Sequence, residues 1–236
     1  MTKSIISRKW MIDVNKISYI PSSISNIHNK IAMFDMEETL ISTSSKSKIP
    51  KDNQDWIWKY RTVKAKFLTL ARQGYTICII DNATWLSTGD MCYNSFKLRV
   101  KNVISEIDTV ALKNGVNMQI FCFFAITKGY MWKPHTGIWN TIKKLYSKCK
   151  TPINKKKSFY VGDRAARIKT SKSSRWGANK ADLGYEDRAF AHNIKVKFYS
   201  ADDYFSIGME TIDEDDRPYK YPDKSLSPED MKRIIK

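Results

Sequence analysis

The stretch KIAMFDMEETL, residues 30–40, is an apolar run that ends in acidic residues. A short continuous apolar run of this kind is typical of a strand buried in a parallel sheet. Residues 75–81 and 158–163 repeat the pattern. The acids that end the three runs are Asp35, Asp81 and Asp163. Because ligands of open parallel sheets bind at the carboxyl ends of the strands, the sequence predicts a functional edge where these acids meet.

Helical patterns separate the strands. Apolar residues recur at helical spacing in 56–73, 95–114 and 136–149, and further strands are predicted at 117–125 and 196–199. Strands that alternate with helices favour an α/β fold, in which a parallel sheet carries helices on both faces.

The two ends of the chain depart from this pattern. Residues 1–30 are polar with scattered apolar anchors, and we expect an N-terminal lead-in that packs on the core. Residues 206–236 hold an acidic cluster and three prolines, which predicts a C-terminal extension. The α/β domain is therefore expected to cover residues 31–205.

The composition excludes some classes of protein. Of the 236 residues, 42% are hydrophobic, which is enough for a sizeable core and excludes global disorder. The net charge of +17 favours a polyanionic partner, with nucleic acid as the first candidate, although a basic membrane-surface protein has the same balance. No apolar run reaches about 18 residues, so we expect no membrane-spanning helix.

Cysteine usage and the first residues bear on the compartment. The four cysteines lie far apart without a Cys-x-x-Cys pair, which argues against a disulfide framework and a cysteine-rich zinc site. The first residues lack the apolar stretch of a signal peptide. We expect an intracellular protein in a reducing compartment, the nucleus or the cytoplasm.

Four residues carry the predicted chemistry: Asp35, Glu37, Lys133 and Asp163. Carboxylates that converge at strand ends repel one another unless a cation lies between them, and oxygen ligands suit Mg²⁺. An aspartate beside Mg²⁺ can attack a phosphate and form an aspartyl-phosphate. Glu37 faces the same side of an extended segment and can protonate the leaving group, while Lys133 can neutralise the developing charge. One such acid often only caps a helix, but three at one edge favour a site.

These residues lie in segments that resemble a known family. DMEETL (35–40) resembles the Asp-x-Asp-Gly-Thr signature of haloacid-dehalogenase-type (HAD) phosphohydrolases. YMWKPHTGIW (130–139) and VGDRAAR (161–167) resemble two motifs of the 3′-phosphatase domain of polynucleotide kinase/phosphatase. DRAFAHN (187–193) and DDYF (202–205) resemble later segments of that domain. The resemblance runs in order from about residue 30 to 205.

The resemblance implies a HAD-like (Rossmannoid) fold and a Mg²⁺-dependent polynucleotide 3′-phosphatase that acts on DNA ends through an aspartyl-phosphate. It implies Asp35 as nucleophile, Glu37 as general acid/base and Lys133 as the phosphate stabiliser. The implied metal ligands are Asp35, the backbone carbonyl of Glu37, and Asp163. The implied substrate contacts are Thr39, Asn82, Arg167 and Arg188. The chain contains no Gly-x-x-x-x-Gly-Lys-Ser/Thr loop, so a phosphatase without the kinase activity is expected.

Several positions depart from the family pattern. Glu37 replaces the second aspartate, which displaces the general acid by roughly 1 Å, and errors of that size cost on the order of 10²-fold in rate. The other departures are Glu38 for glycine, Asp81 for threonine, Ala83 for glutamine, Trp132 for arginine and Ala166 for glycine. Asp35, Glu37, Glu38, Asp81 and Asp163 then face a single Lys133, more negative charge than one Mg²⁺ balances.

These departures leave two alternatives open. One is a catalytically degenerate phosphatase fold that serves as a nucleic-acid-binding or assembly module. The other is a phosphatase for a small metabolite or a phosphoprotein. Asp35→Asn distinguishes the first alternative from the enzyme, because it abolishes turnover and leaves nucleic-acid binding nearly intact.

Basic residues cluster in two segments. The first holds Lys143, Lys144, Lys148, Lys150 and Lys155–Lys157, and the second holds Arg164, Arg167, Lys169, Lys172 and Arg175 around Trp176. Such clusters neutralise backbone phosphates without reading sequence, and an interleaved aromatic ring stacks on a base. We expect them beside the active edge, with a merely solvated surface as the alternative.

Overall fold

A seven-stranded sheet lies at the centre of the computed structural model, which describes residues 6–24, 27–167 and 184–206. The strands of the described residues are β1 (Arg8–Asp13), β2 (Lys16–Pro21), β3 (Lys30–Phe34), β4 (Ile41–Ser42), β5 (Ile57–Trp58), β6 (Tyr75–Asn82), β7 (Ile120–Ala125), β8 (Phe159–Gly162) and β9 (Lys197–Ser200). The helices are α1 (Val63–Arg72), α2 (Tyr93–Lys113), α3 (Gly137–Lys148), α4 (Glu186–Ile194) and α5 (Ala201–Phe205).

The sheet has the strand order β1-β2-β7-β6-β3-β8-β9. Five neighbouring strands of this sheet, β7-β6-β3-β8-β9, run parallel to one another. Phe34 of β3 pairs with Ile79 of β6 on one side and with Val161 of β8 on the other. This register brings the carboxyl ends of the three central strands to one edge. The prediction of an α/β fold built on a parallel sheet is confirmed for this part of the sheet.

Helices cover both faces because their apolar positions recur at helical spacing. On one face, α1 and α2 bury residues that include Phe67, Phe96 and Val100. On the other, α3 and α4 bury residues that include Trp139 and Phe190. Helices on both faces are the expected consequence of right-handed crossovers between parallel strands.

The N-terminal segment differs from the expected lead-in. Residues 8–21 form a β-hairpin, and its strand β2 pairs with β7 in antiparallel fashion, so the sheet is mixed rather than fully parallel. Arg8 of β1 forms a buried ion pair with Asp108 of α2, which fixes the hairpin to the domain. The hairpin was hard to recognise because Met11 and Ile12 are exposed and mask the alternation of a half-buried strand.

Several predicted boundaries also move. The helix expected over 56–73 begins at Val63, since β5 pairs with β4 in a separate two-stranded sheet. The third apolar strand begins at Ile120 rather than at residue 117. The predicted extension lies outside the described residues from residue 207 onward. Within the described residues, no helix is long and apolar enough to cross a membrane.

Candidate active site

A buried lysine links the acidic residues at the carboxyl edge of the sheet. Lys133 Nζ donates to Asp35 Oδ1 at 2.6 Å, to Asp187 Oδ1 at 2.7 Å and to the Tyr160 hydroxyl at 2.8 Å. Although burial opposes the charge, the carboxylates of Asp187 and Asp35 raise the pKa of Lys133. The lysine is therefore a fixed cation beside the predicted nucleophile.

Asn82 positions the backbone that carries Lys133. Its amide oxygen accepts from the Lys133 backbone N–H at 2.8 Å, and its amide nitrogen donates to the Lys133 carbonyl at 3.0 Å. Asn82 ends β6, so this pair of hydrogen bonds ties the lysine loop to the central sheet. The structure thus gives Asn82 a positioning contact. Asn82 also lines the cleft, and its contact with the phosphate stays a prediction.

Asp187 completes the acidic cluster, and sequence reasoning missed it. One oxygen each of Asp35, Asp163 and Asp187 lie within 4.8 Å of one another. Asp187 follows no strand but lies in the first turn of α4, so the strand-end rule did not find it. Gly162 makes its position possible, since a Cβ built there would lie 2.5 Å from Cβ and Cγ of Asp187. The quoted segment 187–193 was the one available signal.

The donors of this cluster fit a divalent cation. Burial, followed by the charges of Asp81 and Asp187, raises the pKa of Asp35 well above its usual value. Burial and Asp187 likewise raise the pKa of Asp163. Asp187 is already engaged by Lys133, Tyr160 and the backbone N–H of Arg164. Asp35, which has only Oδ1 engaged by Lys133, and Asp163 are thus the better ligands, and carboxylate oxygens suit Mg²⁺.

Glu37 is held by a buried arginine. Arg99 of α2 is 0% exposed, and its Nη2 lies 2.9 Å from Glu37 Oε2 while Nε and Nη2 both donate to Oε1. A further Arg99 donor, Nη1, bonds to the carbonyl of Asp55. Burial raises the pKa of Glu37 to about 7, although Arg99 opposes the shift. The longer side chain is therefore fixed in one place, with a pKa suited to proton transfer at neutral pH.

The excess negative charge inferred from the sequence is only partly present. Glu37 pairs with Arg99, and the exposed Glu38 pairs with Lys59 at 2.5 Å. Two of the five predicted acids are therefore neutralised by cations that sequence reasoning did not assign to the site. Asp81 does face the cleft, as expected, and its Oδ1 accepts from the backbone N–H of Asn82.

Two positions where the family has glycine keep a left-handed backbone. Glu38 has a φ of 55° and Ala166 a φ of 56°. A residue with a Cβ pays roughly 1–2 kcal/mol for this conformation. Both turns thus have the backbone conformation that favours glycine, although each residue carries a Cβ.

The predicted substrate contacts divide into two groups. Arg167 lines the cleft, and its Nη1 lies 3.5 Å from Asp202 Oδ2. Thr39 is fully buried, and its hydroxyl has no partner within the described part of the chain. Arg188 is also buried, with its guanidinium 5.8 Å from the Phe198 ring and bonded to the Ala165 carbonyl. Thr39 and Arg188 do not line the cleft, and a direct contact of either with the substrate stays a prediction.

The cleft above the acids has a volume of about 920 Å³. Its walls combine cations with two aromatic side chains, Trp85 and Trp132. The lining cations are Lys46, Lys48, Lys59, Lys133, Arg164 and Arg167. Three of these cations, Lys59, Arg164 and Arg167, pair with the lining acids Glu38, Glu186 and Asp202. An anionic substrate therefore meets walls of mixed charge above an acidic floor. Of the second basic segment, Lys169, Lys172, Arg175 and Trp176 lie outside the described residues.

The fold matches that of HAD-like phosphatases. The chain superimposes on a candidate HAD-like phosphatase from Mesorhizobium loti with a TM-score of 0.52 at 13% identity, covering 78% of this chain and 93% of that one. Residues 30–205 match the family described as polynucleotide kinase 3 phosphatase. The chain therefore belongs to that family, and the predicted family resemblance is confirmed.

Proteins similar to this chain in sequence differ in how much of their own length the chain covers. An uncharacterised 20.8 kDa protein of Autographa californica nuclear polyhedrosis virus is 29% identical over 77% of this chain and 88% of its own length. The bifunctional polynucleotide phosphatase/kinase of Schizosaccharomyces pombe is 27% identical over 75% of this chain. The polynucleotide 3′-phosphatase ZDP of Arabidopsis thaliana is 29% identical over 76%. The chain spans only 37% and 24% of the yeast and plant proteins.

Proposed function

We propose that the protein is a Mg²⁺-dependent polynucleotide 3′-phosphatase that removes the 3′-phosphate from DNA ends. The observation that carries the proposal is Lys133, a buried cation that contacts Asp35 at the floor of the cleft. Membership of the polynucleotide kinase 3 phosphatase family supports the same activity. Its product is a 3′-hydroxyl, the end that polymerases and ligases use, so the expected role is in DNA repair.

In the first step, Asp35 attacks the phosphorus atom. Lys133 occupies Oδ1 of Asp35, and no described residue donates a hydrogen bond to Oδ2, which we assign as the attacking atom. The new Oδ2–P bond forms as the bond from phosphorus to O3′ breaks. Glu37 gives its proton to the departing O3′, and Lys133 neutralises charge on the phosphoryl oxygens. The result is an aspartyl-phosphate and a 3′-hydroxyl.

In the second step, water attacks the aspartyl-phosphate. Glu37, now ionised, takes a proton from the water, and the Oδ2–P bond breaks to give inorganic phosphate and free Asp35. Arg99 keeps the Glu37 carboxylate in one position for both proton transfers. Bound between Asp35 and Asp163, with the Glu37 carbonyl as a further ligand, Mg²⁺ would supply positive charge to the phosphate.

The test is phosphate release from a 3′-phosphorylated oligonucleotide with Mg²⁺. We expect release by the wild type and loss of at least about 10³-fold in Asp35→Asn, because no nucleophile remains. Chelation of Mg²⁺ should also abolish release. Asp13→Asn, an exposed aspartate of the N-terminal hairpin, is the matched control and should retain full activity.

Two outcomes contradict the proposal. Release that persists in Asp35→Asn excludes Asp35 as the nucleophile. A wild-type protein that binds the oligonucleotide without releasing phosphate is instead the degenerate phosphatase fold considered above.

The four cysteines are free, which supports the expected reducing compartment, the nucleus or the cytoplasm.

A further inference from the structure

Residues 109–162 form an acid-free, lysine-rich segment of the sequence. They contain ten lysines and no aspartate or glutamate. Lys133 is the member that enters the active site, whereas the lysines from 143 to 157 are all exposed. Together with Lys195 and Lys197, which are also exposed, they make a set of nine that we call the lysine surface. Its members are Lys143, Lys144, Lys148, Lys150, Lys155, Lys156, Lys157, Lys195 and Lys197.

The fold gathers these lysines at the edge of the sheet opposite the active site. Lys155–Lys157 form a 3₁₀ turn immediately before β8, and Lys197 is the first residue of β9, where it pairs with Phe159. Asp163 lies six positions after Lys157 in the sequence, which at about 3.3 Å per residue gives roughly 20 Å. The expectation that this cluster lies beside the active edge is therefore wrong, because β8 runs between them.

Hydrogen bonds and a cation–π contact hold part of the lysine surface in place. Asn154 Oδ1 accepts a hydrogen bond from the Lys157 backbone N–H at 3.2 Å. The backbone N–H of Asn154 donates to the backbone carbonyl of Asn29 at 2.8 Å. Lys155 Nζ lies 5.5 Å from the centre of the Trp139 ring, which holds the turn against α3. Burial, with the charges of Lys143 and Lys195, lowers the pKa of Lys155. Three separate elements thus bring lysines close together.

No acid within the described residues pairs with any of these nine lysines, although ion pairs occur elsewhere in the fold. Like charges so placed repel one another, and an external polyanion relieves the repulsion.

Two of the lysines occupy positions that favour glycine. Lys150 follows α3 with a φ of 52°, and Lys195 follows α4 with a φ of 61°. In each case two backbone hydrogen bonds close the helix end in the Schellman arrangement. Glycine adopts this conformation without strain, whereas lysine does not. The chain therefore carries a lysine, at a cost in stability, at the ends of two helices that contribute to this surface.

We propose that the lysine surface binds the phosphate backbone of a nucleic acid, at a second place separate from the cleft. Phosphates of a duplex recur along each strand at about 3.4 Å, so a surface of nine cations spans several of them. The contact reads no sequence, because lysine is a point charge with flexible reach. It holds the protein on a polynucleotide independently of any 3′-phosphate.

The first test asks whether duplex binding depends on the position of the lysines or only on the net charge of the protein. Lys155→Gln/Lys156→Gln/Lys157→Gln is compared with a control triple on α2, Lys97→Gln/Lys101→Gln/Lys113→Gln, which lowers the net charge equally on the other face of the sheet. The probe is a 30-base-pair duplex with 3′-hydroxyl ends, and its dissociation constant is measured against salt. We expect the slope of log affinity against log salt to fall by up to about 2.7 in the turn variant only.

The second test removes the possibility that lost binding reflects lost folding. Lys150→Gly and Lys195→Gly relieve backbone strain, so each should raise the melting temperature while weakening duplex binding. Equal slopes for the two triples, or duplex binding unchanged in the glycine variants, would overturn the proposal. So would binding to vesicles of anionic phospholipid that depends on these lysines while duplex binding does not. Phosphate release enters none of these measurements, so the outcome is independent of the proposed activity.

Discussion

Replacing Arg99 with methionine tests how the fold holds Glu37, the proposed general acid. Methionine keeps an unbranched apolar side chain in the core of α2 but removes all three hydrogen bonds to Glu37. The bond to the Asp55 carbonyl is lost as well. The Glu37 carboxylate is then free to move on the scale of 1 Å, and errors of that size cost on the order of 10²-fold in rate.

The effect on stability follows from burial. Removing one partner of a buried ion pair costs about 3–5 kcal/mol. The Glu37 side chain is 22% exposed and lines the cleft, so water reaches it and the lower end of that range is expected. Urea unfolding measures this loss. Lys64→Met, which removes the exposed pair with Glu106, is the control and should cost less than about 1 kcal/mol.

The decisive assay compares two leaving groups. An alkoxide leaving from a 3′-phosphorylated oligonucleotide needs a proton from Glu37, whereas 4-nitrophenolate leaves without one. We expect Arg99→Met to lose about 10²-fold in kcat on the oligonucleotide and far less on 4-nitrophenyl phosphate. Arg99→Lys keeps the charge without the planar fork, so its kcat on the oligonucleotide should lie between those of the wild type and Arg99→Met. Equal losses on both substrates would refute the positioning role and indicate a merely structural one.

Three further outcomes are expected. Gly162→Ala pushes a Cβ against Asp187, so kcat should fall by about 10²-fold while circular dichroism stays native. Tyr160→Phe removes a hydroxyl that bonds Lys133, and it should cost about 1 kcal/mol in urea unfolding and reduce kcat less than Gly162→Ala does. Although burial alone would raise it, hydrogen bonds from neighbouring backbone and serine groups lower the pKa of Asp55 below its unfolded value of about 3.9. That stabilisation is present above pH 4 and lost as the pH falls, so Asp55→Asn should be less stable at pH 7 and converge with the wild type in acid.

The central sheet could be predicted because its signal is local. The strands ending at Asp35, Asp81 and Asp163 are continuous apolar runs, and the rule that parallel strands share a carboxyl edge brings their acids together. The two N-terminal strands gave no such signal, since β1 is largely exposed and β2 mixes apolar with polar residues. They also join the sheet in the antiparallel direction. Pattern recognition therefore succeeds where burial on both faces enforces uniform hydrophobicity.

The partners of the acids were harder to predict because they come from distant parts of the chain. Arg99 lies 62 residues from Glu37 and Asp187 lies 54 residues from Lys133. A signal for Arg99 was nevertheless present, because it occupies the apolar stripe of α2 between Phe96 and Val103. A charged residue in such a stripe needs a buried partner, which is a clue that charge counting along the sequence overlooks.

The burial of Lys133 has a consequence for chemical labelling. Its amine is held by three oxygen atoms and only 2% of the residue is exposed, whereas the nine lysines of the opposite edge are open to solvent. A reagent that acetylates amines should thus modify the opposite edge long before it reaches Lys133. Graded acetylation followed by mass spectrometry would separate the two lysine populations within one native protein, without a single substitution.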